Sequence, residues 1–547
     1  MPEQVDAATG ARAAPAEDLP APAATGAATG AVGGGAGTAP GGPFGWLAAV
    51  PERLVRAIRT NWQFSGVVVA AVLIRIIVML GYSPIMWFND SYNYLVDAYT
   101  HVPDYVRPNG YPFFLNLLQP LHNVYPIAVV QAVLGVVMGI AIYALLRHRG
   151  LPWWGAALPA LPVLFDVFEL QLEHMITADT LFIFLVTIAL VICCWRDRPS
   201  VPAMAVAGLL IGYATLVRSV GQPLLAVFLV AMLIRPVGWR RLVALAVAGI
   251  VPIAAYMIWF QQTSGKYALT ESQGTFLYSR VSAFAECSKM NPPASLRKLC
   301  DPRSPSRRGS SQEYLWSNNT PLGRLTGDNN VNRFTPAIEG LTQKFAERAI
   351  LAQPLAYAHV VFNDTVHTFG WFRQPDPQDI AGNGPSFRFA ASVPPVPWWA
   401  KSHQGDVPSQ QMQAARQDFA GPAYGLTKVN QPWARLTQIY QRYVFMPGMI
   451  LGLLLLLGAA GILARWRPRA GRWNGGIALL PWLAGALLIV LPPMTAGFSY
   501  RYVVAAVPAV CLAAGLVFTR RPGEQSVRAL AADVGRHFGR GVPVKQE

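Results

Sequence analysis

Repeated apolar runs limit how this chain can fold more than any other feature. A helix that crosses a hydrocarbon layer about 30 Å thick needs about 20 consecutive, mainly apolar residues. Of the 547 residues, 53% are hydrophobic and 13% are charged. The runs lie near residues 64–82, 124–146, 152–168, 177–195, 201–217, 220–234, 242–260, 444–464, 475–494 and 502–518. The sequence therefore predicts a mainly α, polytopic membrane helix bundle of about ten spans, which excludes soluble enzymes, nucleic-acid modules and disordered hubs.

The positively charged residues lie mainly in the connections between these runs. The net charge is +16, but the basic residues form short clusters rather than one patch. The clusters lie at 53–59, 147–149, 196–198, 235–241, 465–472 and 520–521. Since Lys and Arg accumulate in cytoplasmic connections, we expect a multi-pass plasma-membrane protein with both termini in the cytoplasm. No nucleic-acid partner is expected.

The remaining connections are expected to lie outside the cytoplasm. They are 83–123, 169–176, the turn 218–219, the tip 495–501 and residues 261–443, here called the long insert. The run at 152–168 and the tight pair around Arg218 could instead be re-entrant.

The long insert is too long and too polar for a simple loop. Apolar positions at helical spacing in 335–370, beside the Pro-, Gly- and Gln-rich stretch 374–412, predict a partly helical extracytoplasmic domain. The predicted units are listed in chain order: a disordered tail (1–43), a membrane catalytic module (44–260), the long insert, the C-terminal spans (444–518) and a second cytoplasmic tail (519–547).

Two of the five cysteines, Cys287 and Cys300, lie in the long insert. Disulfides persist outside the cytoplasm, so we expect these two to pair, the alternative being two unrelated thiols. No CxxC or His-rich spacing predicts a structural zinc site.

The connection 83–123 carries the strongest candidate for chemistry. The sequence MWFNDSYNYLVDAY places Asp90 just after a span, and VRPNGYPFF returns to the membrane through a turn that contains Arg107. A carboxylate partly desolvated beside Tyr92 and Tyr94 can act as a general base toward a hydroxyl. Its alternative role is to cap a helix that begins at Ser91.

This loop resembles the first luminal loop of the C-fold (GT-C) integral-membrane glycosyltransferases, in the branch of protein O-mannosyltransferases and lipid A aminoarabinose transferases. The resemblance rests on Arg75, Asp90, the RPNGYP turn, MITADTLFIFL and FSYRYVVAAVPAV, and it covers none of the long insert. It implies that Asp90 is catalytic and that the donor is a polyprenyl-phosphate-linked sugar. Asn109 stands where a second Pro is usual and Asp179 where Glu is expected, which leaves the subfamily and the substrate open.

The connection 169–176 leads into a second group of ionisable residues. FELQLEHMITAD contains Glu173, His174 and Asp179, and ionisable residues at membrane depth usually face a cavity or a partner. With Arg107 and Tyr111 of the turn, we predict that they position acceptor or donor, the alternative being a solvated loop with helix caps. No cofactor is predicted to be required. A divalent cation is compatible with the resemblance, because family members differ in metal use.

Three arginines, Arg75, Arg218 and Arg501, lie toward the outer ends of spans. Arg suits phosphate because its planar fork donates paired hydrogen bonds, so these residues are candidates to bind the donor phosphate; the alternative is snorkelling or ion pairing. The tryptophans of the insert favour an interfacial belt over a platform for sugar rings. They are Trp316, Trp371, Trp398, Trp399 and Trp433.

These features predict an inverting glycosyltransferase that moves a sugar from a polyprenyl-phosphate donor to a hydroxyl of an extracytoplasmic glycan, lipid or protein. Asp90 would deprotonate that hydroxyl, and one carboxylate with cationic residues suffices because the leaving phosphate needs no strong acid, unlike in glycoside hydrolases. The alternative is a transporter or flippase of lipid-linked or polymeric saccharide, which the lack of an evident internal repeat disfavours. A scaffold protein would not need ionisable residues gathered on one side.

Overall fold

The computed structural model describes residues 59–327, 330–371, 388–392, 409–421, 425–464 and 476–519. Both predicted tails fall outside the described residues apart from Thr519, as do Trp398, Trp399 and most of 374–412. The chain divides into Met1–Thr60 and Asn61–Glu547. The account below concerns the second unit, which includes both the membrane helices and the long insert.

Helices make up most of the stretch before the long insert. In chain order they are α1 (Trp62–Gly81), α2 (Asn89–Thr100), α3 (Gly110–Leu118), α4 (Tyr125–His148), α5 (Trp153–Ala157), α6 (Leu161–Phe165), α7 (Val167–Glu173), α8 (Asp179–Trp195), α9 (Val201–Val217), α10 (Gly221–Ile234) and α11 (Trp239–Ser264). The short strand β1 (Tyr82–Ser83) follows α1 directly. Helices α2 and α3 lie in the connection 83–123, between the first two apolar runs.

The long insert and the C-terminal part are also helical where they are described. Their helices are α12 (Gln273–Val281), α13 (Cys287–Met290), α14 (Ala294–Arg297), α15 (Ser311–Trp316), α16 (Pro321–Thr326), α17 (Pro336–Ala352), α18 (Pro354–His367), α19 (Ser409–Ala420), α20 (Trp433–Tyr440), α21 (Gly448–Ala464), α22 (Leu479–Thr495), α23 (Tyr500–Val504) and α24 (Val507–Val517). Strand β2 (Lys428–Val429) precedes α20. Helices α17 and α18 occupy the stretch 335–370 for which helical spacing was predicted.

Each of the ten apolar runs coincides with one helix or with two or three consecutive helices. Among the described residues, α1, α4, α11 and the joined α23 and α24 are long and apolar enough to cross a membrane. Helices α8, α9, α10, α21 and α22 are apolar but shorter, at 10–17 residues. Many large apolar side chains on these helices are exposed, among them Leu73, Val133, Leu233 and Leu453. Such a surface suits lipid rather than water, and the chain is a polytopic helical membrane protein.

The run at 152–168 departs from a straight span. Helices α5 to α6 and α7 meet at an angle of 53°, as in a broken span or a re-entrant loop. Asp166 sits at the break, where one carboxylate oxygen accepts a hydrogen bond from the Phe168 N–H at 2.7 Å and the other from the Met446 N–H at 2.6 Å. Pro159 and Pro162 lie in the preceding turns, and proline removes helical hydrogen bonds. Local sequence therefore accounts for the bend.

The long insert has a small hydrophobic core of its own. Tyr278 of α12 packs edge-on against Phe345 of α17 with ring centroids 5.2 Å apart, and both side chains are buried. Cys287 and Cys300 form a disulfide bond at the rim of this core. The disulfide closes a loop with a sequence separation of 13, which stabilises a fold by about 3 kcal/mol in the chain-entropy model.

Among the described residues, the long insert contacts the membrane part at several places, two of which bear on the site. Near its end, β2 pairs antiparallel with β1 through Tyr82 and Val429, and the Trp87 indole N–H donates to the Gly425 carbonyl at 2.9 Å. Elsewhere, Asp364 of α18 accepts from the Phe498 N–H at 3.3 Å, in the tip 495–501. The insert is thus fixed to both the first loop and the tip.

Candidate active site

A cavity of about 1250 Å³ lies between the ends of the membrane helices and the long insert. One wall comes from α2, the turn that contains Arg107, the link between α9 and α10, and helices α22 and α23. The opposite wall comes from α12, α15 and α17 of the insert. Its volume exceeds the usual 300–1,000 Å³ of small-molecule sites, so the cavity has room for two substrates at once.

Asp90 lies on this cavity, in the first turn of α2. Helix α2 is fixed by Ser91, whose hydroxyl oxygen accepts from the Phe88 N–H at 2.9 Å and donates to the Ile176 carbonyl at 2.7 Å. The Asp90 carboxylate does not cap the helix. It accepts from Arg107 Nη2 at 2.8 Å and from Arg501 Nη1 at 2.7 Å, and its side chain is 13% exposed.

The turn before α3 holds Arg107 in place. The Asp104 carboxylate accepts from the Val106 N–H at 3.0 Å and the Arg107 N–H at 3.2 Å, and it lies 3.8 Å from Arg107 Nη1. Asn109 accepts from the Asp104 N–H at 3.0 Å, so its side chain braces the turn from inside. A Cβ on Gly110 would lie 2.4 Å from the Leu216 carbonyl carbon, so only glycine lets the turn approach the end of α9.

Arg218 and Arg501 meet at Asp179. Arg501 Nε donates to Asp179 Oδ2 at 2.7 Å, and Arg218 Nη1 donates to Asp179 Oδ1. Asp179 is fully buried in the first turn of α8 and does not line the cavity, whereas both arginines do. The buried carboxylate therefore holds two guanidinium groups at the cavity wall, and Arg501 joins it to Asp90.

The charges around Asp90 set its protonation. Burial raises the pKa of the Asp90 carboxyl, but the charges of Arg107 and Arg501 outweigh burial and lower it to about 2. Without a ligand, Asp90 is therefore an ionised carboxylate and a weak base.

The membrane-side wall is suited to an anion. Three guanidinium groups and one carboxylate line it, with Asp104 and Asp179 behind them. Next to the arginines the wall becomes apolar, through Val220, Pro223, Leu488, Leu491 and Ala505. A ligand with a phosphate group and a hydrocarbon chain would match both parts of this wall.

Arg75, Glu173 and His174 lie apart from this cavity. Arg75 donates to both oxygens of Glu173 at 2.6 and 2.7 Å, and its remaining nitrogen donates to the carbonyls of Ala71 and Leu164. The His174 ring Nε2 lies 2.7 Å from the Tyr82 carbonyl oxygen. The geometry thus favours structural roles for these residues over contact with substrate.

Tyr111 is also buried away from the cavity, and its hydroxyl donates to Gln131 Oε1 at 2.8 Å. This tyrosine packs edge-on against Tyr94, which does line the cavity, with ring centroids 5.0 Å apart. Tyr111 can therefore act on the site only through its neighbour.

Several lining residues were not singled out from the sequence. They are Tyr502, Phe276, Gln273, Gln312, Glu313 and Gln343. Tyr502 lies under the Arg218 guanidinium, 5.2 Å from its ring centroid; it stands next to Arg501 in the SYRY motif, which is the signal that could have found it. Trp316, for which a membrane belt was favoured, lines the cavity from the insert.

Within the described part of the chain, no three His, Cys, Asp or Glu side chains are grouped to hold a metal ion. Asp90, which lines the cavity, and Asp179, which lies behind its wall, are each bound by two arginines.

Comparison with known proteins gives two structural similarities. No family model and no curated protein sequence matches this chain. Archaeal oligosaccharyltransferase AglB from Archaeoglobus fulgidus, in complex with an inhibitory peptide and a dolichol-phosphate, matches 90% of this chain and 53% of its own, with 13% identity and a TM-score of 0.35. The apo form of the Archaeoglobus fulgidus oligosaccharyltransferase matches 88% and 52%, with 14% identity and a TM-score of 0.35. The chain therefore spans about half the length of either structure.

Proposed function

We propose that this chain is an inverting glycosyltransferase that moves a sugar from a polyprenyl-phosphate donor to an acceptor hydroxyl. One observation carries the proposal. Asp90 shares a cavity at the membrane helix ends with Arg107, Arg218 and Arg501. The motif resemblance to the GT-C glycosyltransferases supports the same reaction, because Asp90 and Arg501 fall within the motifs on which it rests.

The donor would occupy the membrane-side wall. Its phosphate would bind Arg218 and Arg501, which a buried Asp179 already holds side by side, and its first isoprene units would lie along the apolar part of the wall. Arg forks bind phosphate oxygens in pairs and stay charged at any relevant pH. The same groups would stabilise the negative charge that grows on the leaving phosphate.

The reaction is a single displacement. The acceptor hydroxyl gives its proton to Asp90, and its oxygen forms a bond to the anomeric carbon. The bond from that carbon to the phosphate oxygen breaks, and its electron pair leaves with the polyprenyl phosphate. Because attack and departure occur on opposite faces, the anomeric configuration inverts.

Donor binding would make Asp90 a stronger base. In the unliganded protein two arginines hold the pKa of the Asp90 carboxyl at about 2. A phosphate that takes hydrogen bonds from Arg501 weakens that stabilisation and adds negative charge nearby, and both effects raise the pKa of Asp90. The base would thus become effective only when a donor is present.

The site is proposed to face the extracytoplasmic side of the plasma membrane. Arginines at 147–149, 196–198 and 235–241 follow the opposite ends of α4, α8 and α10, as the positive-inside rule expects for cytoplasmic connections. Nucleotide sugars are absent outside the cytoplasm, so a lipid-linked donor is required there.

The test is turnover of radiolabelled polyprenyl-phosphate sugars by the purified protein in lipid. Asp90→Asn should lower donor consumption by about 10²–10⁴-fold, the usual contribution of a general base. Asp197→Asn is the matched control, because Asp197 is exposed and pairs with Arg149 beyond the end of α8 that is opposite to Asp179; its turnover should stay within about twofold.

Three results would contradict this scheme. Product that keeps the donor's anomeric configuration would exclude a single displacement. Equal turnover by wild type and Asp90→Asn would exclude Asp90 as the base. If no donor in the panel is consumed, the transferase proposal fails, and translocation of the same lipids across the membrane becomes the next assay.

A further inference from the structure

The insert wall of the cavity differs chemically from the membrane-side wall. Its side chains are mainly neutral amides, hydroxyls and aromatic rings. They include Gln273, Phe276, Ser310, Gln312, Trp316 and Gln343. Three glutamines offer both donors and acceptors, and aromatic faces offer flat apolar surface. This combination binds uncharged molecules rich in hydroxyl groups.

The aromatic rings on this wall are held in place by buried neighbours. Trp316 and Phe276 both pack against Phe334, with ring centroids 5.8 and 6.2 Å apart, and Phe334 is buried. The Trp316 indole N–H donates to Gln312 Oε1 at 3.0 Å. The orientation of the indole is thus set before any ligand binds, which lowers the entropic cost of binding.

The backbone beneath Trp316 is also fixed. Arg333 is fully buried, and its guanidinium donates to the Leu315 carbonyl at 2.7 Å and to the Asn318 side chain. At the other end of α15, the Ser310 hydroxyl oxygen accepts from the Glu313 N–H at 3.3 Å. A charged side chain buried to hold one short helix is a costly arrangement, and it favours a role for that helix beyond filling space.

The charges on the two walls favour a neutral acceptor over an acidic one. Of the described residues that line the cavity, Glu313 is the one charged residue from the insert, while the arginines line the opposite wall. A phosphorylated or acidic acceptor would be repelled by Glu313 and attracted to Arg218 and Arg501, where it would compete with the donor. A neutral acceptor meets neither obstacle.

We propose that the insert wall is the acceptor subsite and that the acceptor is a neutral carbohydrate chain. The indole face of Trp316 packs against a sugar ring, while Gln312, Gln273 and Gln343 hydrogen-bond to its hydroxyls. The acceptor hydroxyl then points across the cavity to Asp90. This inference rests on the proposed function, and it names the acceptor class of the same reaction.

The experiment compares three acceptor classes with one active donor and the full-length protein in lipid. The acceptors are neutral linear oligosaccharides of hexoses and pentoses, a Ser- and Thr-rich peptide, and a phosphorylated glycolipid. We expect transfer to an oligosaccharide. Trp316→Ala should raise the KM for that acceptor about tenfold or more, as for truncation of a buried aromatic contact, with the donor KM changed less than twofold.

One variant controls for general damage to the insert, and another is a second test of the same wall. Trp433→Ala removes a tryptophan of the insert that is 38% exposed and outside the cavity, and it should leave both KM values unchanged. Gln343→Ala shortens a side chain on the same wall and should raise the acceptor KM by about threefold, one hydrogen bond's worth. If Trp316→Ala does not fold, Gln343→Ala and saturation-transfer NMR of the oligosaccharide on wild-type protein decide the question.

The outcomes separate the two proposals. Transfer to the peptide or the glycolipid but to no oligosaccharide overturns the acceptor assignment and leaves the transferase intact. An unchanged acceptor KM in folded Trp316→Ala also overturns the acceptor assignment. If that variant does not fold, an unchanged acceptor KM in Gln343→Ala together with no saturation-transfer signal has the same meaning. No consumption of any donor, whether by transfer or by hydrolysis, overturns the proposed function itself.

Discussion

Two buried clusters of arginine and carboxylate differ in whether their arginines face a cavity of ligand size. In the first, Arg75 and Glu173 bond to each other through both oxygens, and the last Arg75 nitrogen is taken by two backbone carbonyls. In the second, Arg107, Arg218 and Arg501 reach carboxylates but also line a cavity, where Arg107 and Arg218 are 16% and 18% exposed. Arginines of similar sequence context therefore have different capacities for a ligand.

The difference between the two clusters follows from the residues and helices that surround each arginine. Arg75 lies in α1 and is enclosed by α4, α6 and α7, so an unpaired charge there would have no solvent. At the cavity, one buried carboxylate, Asp179, supports two arginines, which leaves guanidinium surface over for an anion. An ion pair enclosed by helices has a structural role, whereas ion-paired arginines that also face a large cavity form a candidate site.

The largest expected effect is on stability, at the pair of Arg75 and Glu173. Glu173→Ala leaves the Arg75 charge buried without its partner, and breaking such a pair costs about 3–5 kcal/mol of unfolding free energy. Denaturant unfolding of the purified protein measures this. Replacing both residues with Met should restore most of the stability, since two apolar groups need no pairing. The turnover of the folded fraction should stay within about twofold of wild type; a folded Glu173→Ala protein with little activity would place this pair in the site.

The second prediction concerns the arginines that line the cavity. There we expect a smaller change in the free energy of unfolding and a loss of activity. Arg218→Ala removes a guanidinium from the cavity, while Asp179 keeps its bond to Arg501. We expect kcat/KM for the donor to fall about 10²-fold, as for other preorganised groups that stabilise developing charge, with a smaller loss of stability than in Glu173→Ala, because Asp179 keeps one arginine partner. Arg218→Lys should recover part of the activity, because it keeps the charge but loses the fork. Donor titration and denaturant unfolding of the three proteins distinguish this from a structural role, in which stability would fall while the folded protein kept its kcat/KM.

The smallest effect is a displacement of pH profiles. The pKa of the Asp90 carboxyl is about 2 without ligand, so Asp90 is ionised in the donor-free protein at every pH well above that value. The acid limb of kcat/KM, which reports the free enzyme, should not fall through Asp90 between about pH 7 and pH 4. Donor binding raises the pKa of Asp90, so the acid limb of kcat should lie about one or more units higher. Coincident limbs would show that the donor does not share the arginines of Asp90.

The sequence was sufficient for the helices but only partly for the site. Apolar length predicts each membrane helix because a helix is the local solution to burying a backbone in lipid. Asp90, Arg218 and Arg501 were singled out from their positions at span ends, and the structure brings them together on one cavity. Arg75 has the same signature, yet it pairs with Glu173, 98 residues away. Packing between helices brings Glu173 to Arg75, and this packing cannot be read from a single sequence.

Trp316 is a cavity residue whose position could not be predicted from the sequence. A tryptophan in a polar segment beside a membrane fits an interfacial belt, and nothing within SQEYLW distinguishes that setting from a cavity wall. Its position depends on Phe334 and Arg333, which hold its ring and its helix. The bend at Asp166 was easier to anticipate, because its causes, two prolines and a capping aspartate, are neighbours in the chain.

The bond from Arg501 to Asp90 also orders events during synthesis. The two residues are 411 positions apart, which a ribosome covers in roughly 20–80 s at 5–20 residues per second. Throughout that interval the growing chain can contain Asp90, Arg107, Asp179 and Arg218 but not the residue that links the two carboxylates. The site is completed only when α23 is in place, so a chain released before its last membrane helix would sit in the bilayer with most of its fold and no working centre.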